Sequence, residues 1–188
     1  HSPKYTCFKQ EIAEIVSYLL SRLDIKTTPI GAEIIPGLEL YGCYTREEVF
    51  TLVGRQTAEV KMQGTASGAF NLPEHNAVLL FVTLNKSEKD FSPSTQYNDY
   101  LINDEYFHWQ SKNTDSHYNS GGRKYIEQPK TGIKIILFVR EEKKDGFGNT
   151  SPFHCFGLVD YVSSHDDFPM NVKWRLQKPA MAQYLKAI

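Results

Sequence analysis

Between Asn76 and Ser111 the chain sets aromatic faces beside hydrogen-bonding groups, on what reads as two buried strands and the loop joining them. Phe91, Tyr97, Tyr100, Phe107 and Trp109 accompany Lys86, Glu88, Asp99 and Gln110. Stacking attracts any flat ring while a few fixed polar groups read its edge, so the mixture suits a pocket for a flat polar molecule such as a nucleobase. Aromatic residues are favoured in strands generally, and any one of these rings taken alone is more often core than pocket wall. The connection between the strands singles the group out, because Tyr97-Asn-Asp-Tyr100 places aromatic and acidic side chains in a loop that needs neither for packing.

Other chemistry is thin. The six histidines, His1, His75, His108, His117, His154 and His165, share no metal-ligand spacing with each other or with Cys7, Cys43 and Cys155, so neither a metal nor a cofactor is expected. Ser120-Gly-Gly-Arg-Lys124 lacks the Gly-x-x-x-x-Gly-Lys-Ser/Thr pattern that wraps phosphates, although Arg123 and Lys124 suit contacts to a nucleic-acid backbone. Two Glu-x-Lys triplets, Glu59-Val-Lys61 and Glu141-Glu-Lys143, bear a distant likeness to the metal-binding strand of many restriction nucleases. Such triplets are common in charged hairpins, and neither has an acidic partner upstream in a Pro-Asp context. Asp166-Asp167 reads as a turn before Phe168-Pro169 rather than as a catalytic pair. A binding module, not an enzyme, is expected.

The elements that must hold these residues begin with an amphipathic helix, since Phe8, Ile12, Ile15, Val16, Leu19, Leu20 and Leu23 recur at three- and four-residue spacing. A second, short helix is predicted in Tyr44-Thr-Arg-Glu-Glu-Val-Phe50, where Thr45 and Glu48 form a capping box, and it ends near Gly54. From there on the pattern is short strands broken by turn residues, at 78–84, 107–111, 133–140, 153–163 and 170–177. The run Ile133-Lys-Ile-Ile-Leu-Phe-Val139 is apolar almost throughout and belongs at the centre of the sheet; residues 111–128 read as a long polar loop of the kind that binds. The predicted fold is α+β: a curled antiparallel β-sheet or barrel with N-terminal helices packed against it. Residues 1–55 form the helical segment and 56–188 the sheet domain.

Length allows one generous core in 188 residues. With 21 Lys and Arg against 22 Asp and Glu, no global field advertises nucleic acid, so any such contact must rest on local patches. No apolar run approaches the roughly 20 residues of a membrane span, no secretory signal is visible and the cysteines follow no disulfide framework. A cytoplasmic protein is expected. The opening His-Ser-Pro, in place of Met, is read as a tag remnant or as a segment cut from a longer polypeptide.

Several strings, in order and at plausible spacing over residues 44–179, carry a family resemblance. They are Leu84-Asn-Lys-Ser-Glu-Lys89, Tyr97-Asn-Asp-Tyr100, Phe107-His-Trp-Gln-Ser111, Leu137-Phe-Val-Arg140, Gly157-Leu-Val-Asp-Tyr-Val162, and Pro169-Met170 with Trp174. The chain resembles the carboxyl-terminal domain of SauUSI-type modification-dependent (type IV) restriction enzymes, which carry a phospholipase-D-like nuclease and a superfamily 2 helicase. The resemblance implies an SRA/PUA-like target-recognition domain that grips duplex DNA and swings a modified cytosine, 5-methylcytosine and also 5-hydroxymethylcytosine, out of the helix.

In SRA domains the aromatic strand carries Phe-Thr-Tyr-Thr, and Phe107-His-Trp-Gln aligns with it. Trp109 would then stack on the flipped base with Gln110 beside it. The second ring falls to Tyr97 or Phe91, and the base-reading carboxylate to Asp99 or Glu88. Lys86, Lys112, Arg123 and Lys124 would engage phosphates while a loop within residues 111–125 fills the vacated stack. Implied partners are DNA with modified cytosine and the nuclease and helicase domains of the parent chain, with no membrane. Alternatives of other classes are a small metal-dependent nuclease and a structural module that docks the helicase.

Overall fold

A computed structural model describes Ile12, Ile30 and residues 34–55, 68–86, 97–180 and 182–185. The predicted helical stripe of residues 8–23 lies outside the described residues apart from Ile12, which is helical and exposed. The second helix forms where its capping box places it. In α1 (Arg46–Leu52) the Thr45 hydroxyl accepts from the Glu48 amide and the Glu48 carboxylate accepts from the Thr45 amide, which satisfies two otherwise orphaned N–H groups.

Among the described residues, eight strands make one curled, unclosed sheet. They are β1 (Cys43–Tyr44), β2 (Ala69–Leu72), β3 (Ala77–Asn85), β4 (Tyr100–Leu101), β5 (Tyr106–Gln110), β6 (Lys134–Glu142), β7 (Phe153–His165) and β8 (Asn171–Leu176). Their spatial order is β2-β3-β6-β7-β8-β5-β4, with β1 paired to β7. All pairs are antiparallel except β3 with β6, which run parallel. The fold is α+β with a curled sheet, as predicted, and the path is not closed into a barrel.

The apolar character of β3 and β6 follows from their place, since both faces of the sheet are covered there. Val78, Leu80, Val82, Ile135, Leu137 and Val139 face one cluster with Phe107, Trp109, Tyr125 and Trp174. Leu79, Phe81, Ile136 and Phe138 alternate to the other, with Leu38, Val49, Phe50 and Phe153. Phe50 of α1 packs edge-on against Phe70, so residues on both sides of position 55 line one cluster. The curl has local causes. Gly157, at φ +80°, sits where the β6–β7 register slips between Leu137 and Phe138, and a second slip between Tyr161 and Ser163 bends β7 against β8.

Residues 111–128 are not the loop the sequence suggested. They contain α2 (Ser120–Ile126), and α3 (Gln128–Thr131) follows directly. Two glycines at the start of α2 and Pro129 in α3 disguise helical sequence. The glycines are required by contact: a Cβ on Gly121 would meet the Asp115 carboxylate and one on Gly122 the Ser116 carbonyl and Met170. Asn119 caps α2 by accepting from the Gly122 amide. Gln128 then fastens the pair to the sheet, donating to the Val159 carbonyl at 2.8 Å and accepting from the Tyr161 amide at 2.6 Å. No helix among the described residues is long and apolar enough to cross a membrane.

Candidate functional site

Lys86, Tyr97, Asp99 and Gln110, far apart in sequence, meet where the end of β3 comes beside β4 and β5. The Lys86 ammonium donates to Asp99 Oδ2 and to the Tyr97 carbonyl, both at 2.6 Å. Asp99 Oδ1 accepts from the Gln110 amide at 2.8 Å. The Gln110 side chain accepts from the Asn98 amide at 2.7 Å and donates to Asn171 Oδ1 at 2.9 Å, and Asn171 in turn donates to Asp166. Burial pushes the Asp99 carboxyl up, while the Lys86 ammonium and the Gln110 N–H pull against it.

This cluster changes two roles. The side chains of Lys86 and Asp99 are 9% and 4% exposed. An ammonium enclosed against a carboxylate is not placed to grip a phosphate, and a carboxylate with both oxygens engaged is not placed to read a base edge. Both fix the loop before β4 to β5. Tyr97 is half-buried, and Glu88 and Phe91 lie outside the described residues.

Trp109 departs furthest from expectation. It is 4% exposed, its ring centroid lies 5.0 Å from Tyr125 and 6.2 Å from Trp174, and it belongs to the apolar cluster under the sheet. Its assignment as the stacking ring is therefore corrected: Trp109 is a core residue here. The reason is the pleat. Burial alternates along β5, so that Phe107 and Trp109 turn inward while Tyr106, His108 and Gln110 turn outward. The outer face carries its own aromatic and basic groups. Tyr100 stacks on His108 with ring centroids 4.6 Å apart, and the Lys173 ammonium lies 4.2 Å from the centre of the Tyr106 ring.

Arg123 and Lys124 do come together. With Asn76, Tyr118, Ser120 and Glu127 they line a groove of about 520 Å3 beside α2. Arg123 is exposed and pairs with Glu127 one turn on; the Lys124 ammonium donates to Asn71 Oδ1 at 3.0 Å and lies 4.7 Å from the centre of the Tyr125 ring. Burial pushes Lys124 below its ordinary value, opposed by nearby Asp115 and assisted by Lys112. Lys112 itself is exposed on the same connection. Tyr125 is fully buried and its hydroxyl makes no hydrogen bond; burial raises its pKa, and the Asp115 charge adds to the rise.

Sequence reasoning missed the tie between this loop and the turn after β7. His117 donates from its backbone to Asp167 Oδ1 at 2.7 Å, its ring nitrogens lie 2.9 Å from Asp167 Oδ1 and 2.9 Å from Ser164 Oγ, and the Phe168 amide donates to the Asp115 carbonyl at 3.1 Å. The His117 N–H groups hold the Asp167 carboxyl below its usual value. The only sequence signal was the Asp-Asp turn itself.

Glu141 and Glu142 are exposed at the end of β6, and Glu59-Val-Lys61 lies outside the described residues. Among the described residues no three His, Cys, Asp or Glu side chains cluster as metal ligands. Cys43 Sγ lies 3.2 Å from His154 Nδ1 on β7, and burial raises its thiol pKa.

The helices, the curled mixed sheet and its tied loops define a single α+β unit with a polar cluster at one strand end and a basic groove beside α2. Residues 38–187 match the family model described as a domain of unknown function, DUF3427, and the chain belongs to that family. No curated protein matches it.

Proposed function

We propose that this domain is a DNA-binding target-recognition module that reads modified cytosine in duplex DNA by base flipping, and that it directs the helicase and nuclease domains of a modification-dependent restriction enzyme. The observation that carries the reading is the outer face of β4 and β5, where Tyr100 stacks on His108 next to a loop that the Lys86, Asp99 and Gln110 network holds in place. Ring faces held in a fixed position are what stacking on an everted base requires. The groove holding Arg123 and Lys124 supplies cations for the backbone, a contact that fixes register without reading sequence. The resemblance of the strings between Leu84 and Trp174 to type IV recognition domains supports the choice of cytosine.

The base would approach the outer face of β4 and β5, with the buried ion pair acting as a rigid mount rather than a contact. A pocket for a methyl group contributes about 1 to 3 kcal/mol, so preference over unmodified cytosine is on the order of tens-fold. The test is a titration of matched duplexes carrying cytosine, 5-methylcytosine or 5-hydroxymethylcytosine at fixed, stated salt. Tighter binding of a modified duplex without cleavage is expected. Equal affinity for all three overturns modification reading, metal-dependent cleavage lost in Glu141→Ala makes the domain a nuclease, and no affinity for any duplex leaves a docking module.

A further inference from the structure

We propose that Ser164, His117 and Asp167 form a nucleophilic centre that takes the acyl group of a small ester onto Ser164 and passes it to water. The three residues stand in no motif, and only the fold joins them. His117 Nε2 lies 2.9 Å from Ser164 Oγ, and Nδ1 lies 2.9 Å from Asp167 Oδ1. The same Asp167 oxygen accepts from the His117 backbone N–H at 2.7 Å, so the carboxylate grips this residue at two points. Those N–H groups hold Asp167 below its ordinary value, and an ionised carboxylate can only accept. Nδ1 therefore carries the ring proton. In the neutral imidazole Nε2 is then the acceptor, and the Ser164 hydroxyl donates to it. Nucleophile, base and orienting carboxylate follow in the order that acyl transfer requires.

Two irregularities of the backbone place these groups. Residues three apart on a regular strand point to opposite faces, yet Tyr161 and Ser164 stand opposite Trp174 and Val172, both buried on β8, because the register slips between Tyr161 and Ser163. Their hydroxyls meet at 2.8 Å. Asp167 sits between two residues with left-handed backbone, Asp166 at φ +57° and Phe168 at φ +58°, a strain of the kind that collects at functional sites. The Asp166 carboxylate is engaged by His165 and Asn171, so it is Asp167 that serves His117. The His117 and Asp167 side chains are 29% and 28% exposed, which leaves the centre open to a small substrate. Ser164 Oγ adds to the ester carbonyl carbon as its proton passes to Nε2. The bond from that carbon to the alcohol oxygen then breaks, and the imidazolium returns the proton to the leaving oxygen. Water repeats the sequence on the acyl-serine and releases the acid. Tyr161 is the donor at hand for the oxyanion, because its hydroxyl already lies beside Oγ and the oxyanion forms one carbon away.

The test treats the folded chain with a fluorophosphonate, maps the modified residue by mass spectrometry and follows p-nitrophenyl acetate hydrolysis, with melting temperatures in parallel. Phosphonylation of Ser164 in wild type, absent from heat-unfolded protein and from Ser164→Ala, is expected. His117→Gln and Tyr161→Phe should each slow acylation about 100-fold or more. Asp167 is a positioning residue, so Asp167→Asn is expected to lower kcat and leave KM unchanged. Folded wild type that is unlabelled at Ser164 overturns the proposal whatever the variants do, as does labelling at an equal rate in His117→Gln. Neither readout uses DNA, so failure here leaves the recognition reading standing.

Discussion

Replacing Trp109 by alanine separates a core role from a pocket role, because the two predict opposite pairs of results. The indole is 4% exposed and packs against Tyr125 and Trp174, so its loss leaves a cavity between rings that are themselves buried. Truncating a large buried aromatic costs about 3 to 5 kcal/mol. For a chain of this size each kcal/mol moves the melting temperature by about 2 to 4 °C, which gives a fall of about 6 to 20 °C. Trp109→Phe, which keeps a ring against Tyr125, is expected to lose clearly less. The assay is thermal and urea unfolding followed by near-ultraviolet circular dichroism, paired with DNA titration well below the variant's melting point. Trp109→Ala that melts within a degree or two of wild type yet no longer binds DNA would show that the ring faces ligand, and would refute its placement in the core.

The Lys86–Asp99 pair predicts strong non-additivity. Removing one partner strands a buried charge at a cost of about 3 to 5 kcal/mol, whereas Lys86→Met with Asp99→Leu together costs less than the sum of the singles; urea unfolding of the three variants measures it, and simple addition would refute the enclosed pair. Acid stability carries a signature of the loop tie. Asp167 is held below its ordinary 3.8, so the stability it contributes is complete above that value and is lost as pH falls through the lower folded value. Melting curves taken from about pH 6 to about pH 2 should show a shallower acid limb in Asp167→Asn, and an unchanged limb would mean that His117 does not hold the carboxylate.

The fold was more legible than the site. Strands at 78–84, 107–111, 133–140, 153–163 and 170–177 all exist, because each is an apolar run bounded by turn residues, and the Thr45–Glu48 box marks the start of α1. The missed strands are β1, β2 and β4, two to four residues long, too short to show a period. Of the helices the sequence did not announce, α2 carries glycines in its first turn because of tertiary contacts with Asp115 and Ser116, and α3 carries a proline in its first turn. Parallel pairing of β3 with β6 left no trace beyond the continuous apolar runs, since a run buried on both faces looks the same in either direction.

Residue type identified the cluster around Asp99, but not which of its members face a ligand, and the reason is the period of a strand. On β5 a change of one position exchanges inside for outside: Trp109 and His108 are neighbours in sequence and lie on opposite faces. The ring with the greatest stacking area was the natural choice for a base, and the same area made it the best filler beneath the sheet. Burial then divides the labour. Trp109, Tyr125 and Trp174 hold the sheet against α2, the enclosed Lys86–Asp99 pair sets the loop before β4, and on the proposed reading the groups that meet DNA are those outside the core: Tyr100 and His108 on the outer face and Arg123 at the groove. It follows that substitutions at the first set should act on stability and those at the second on affinity. A variant of Tyr100 or His108 that unfolds the protein, or one of Trp174 that spares stability and removes binding, would contradict that division.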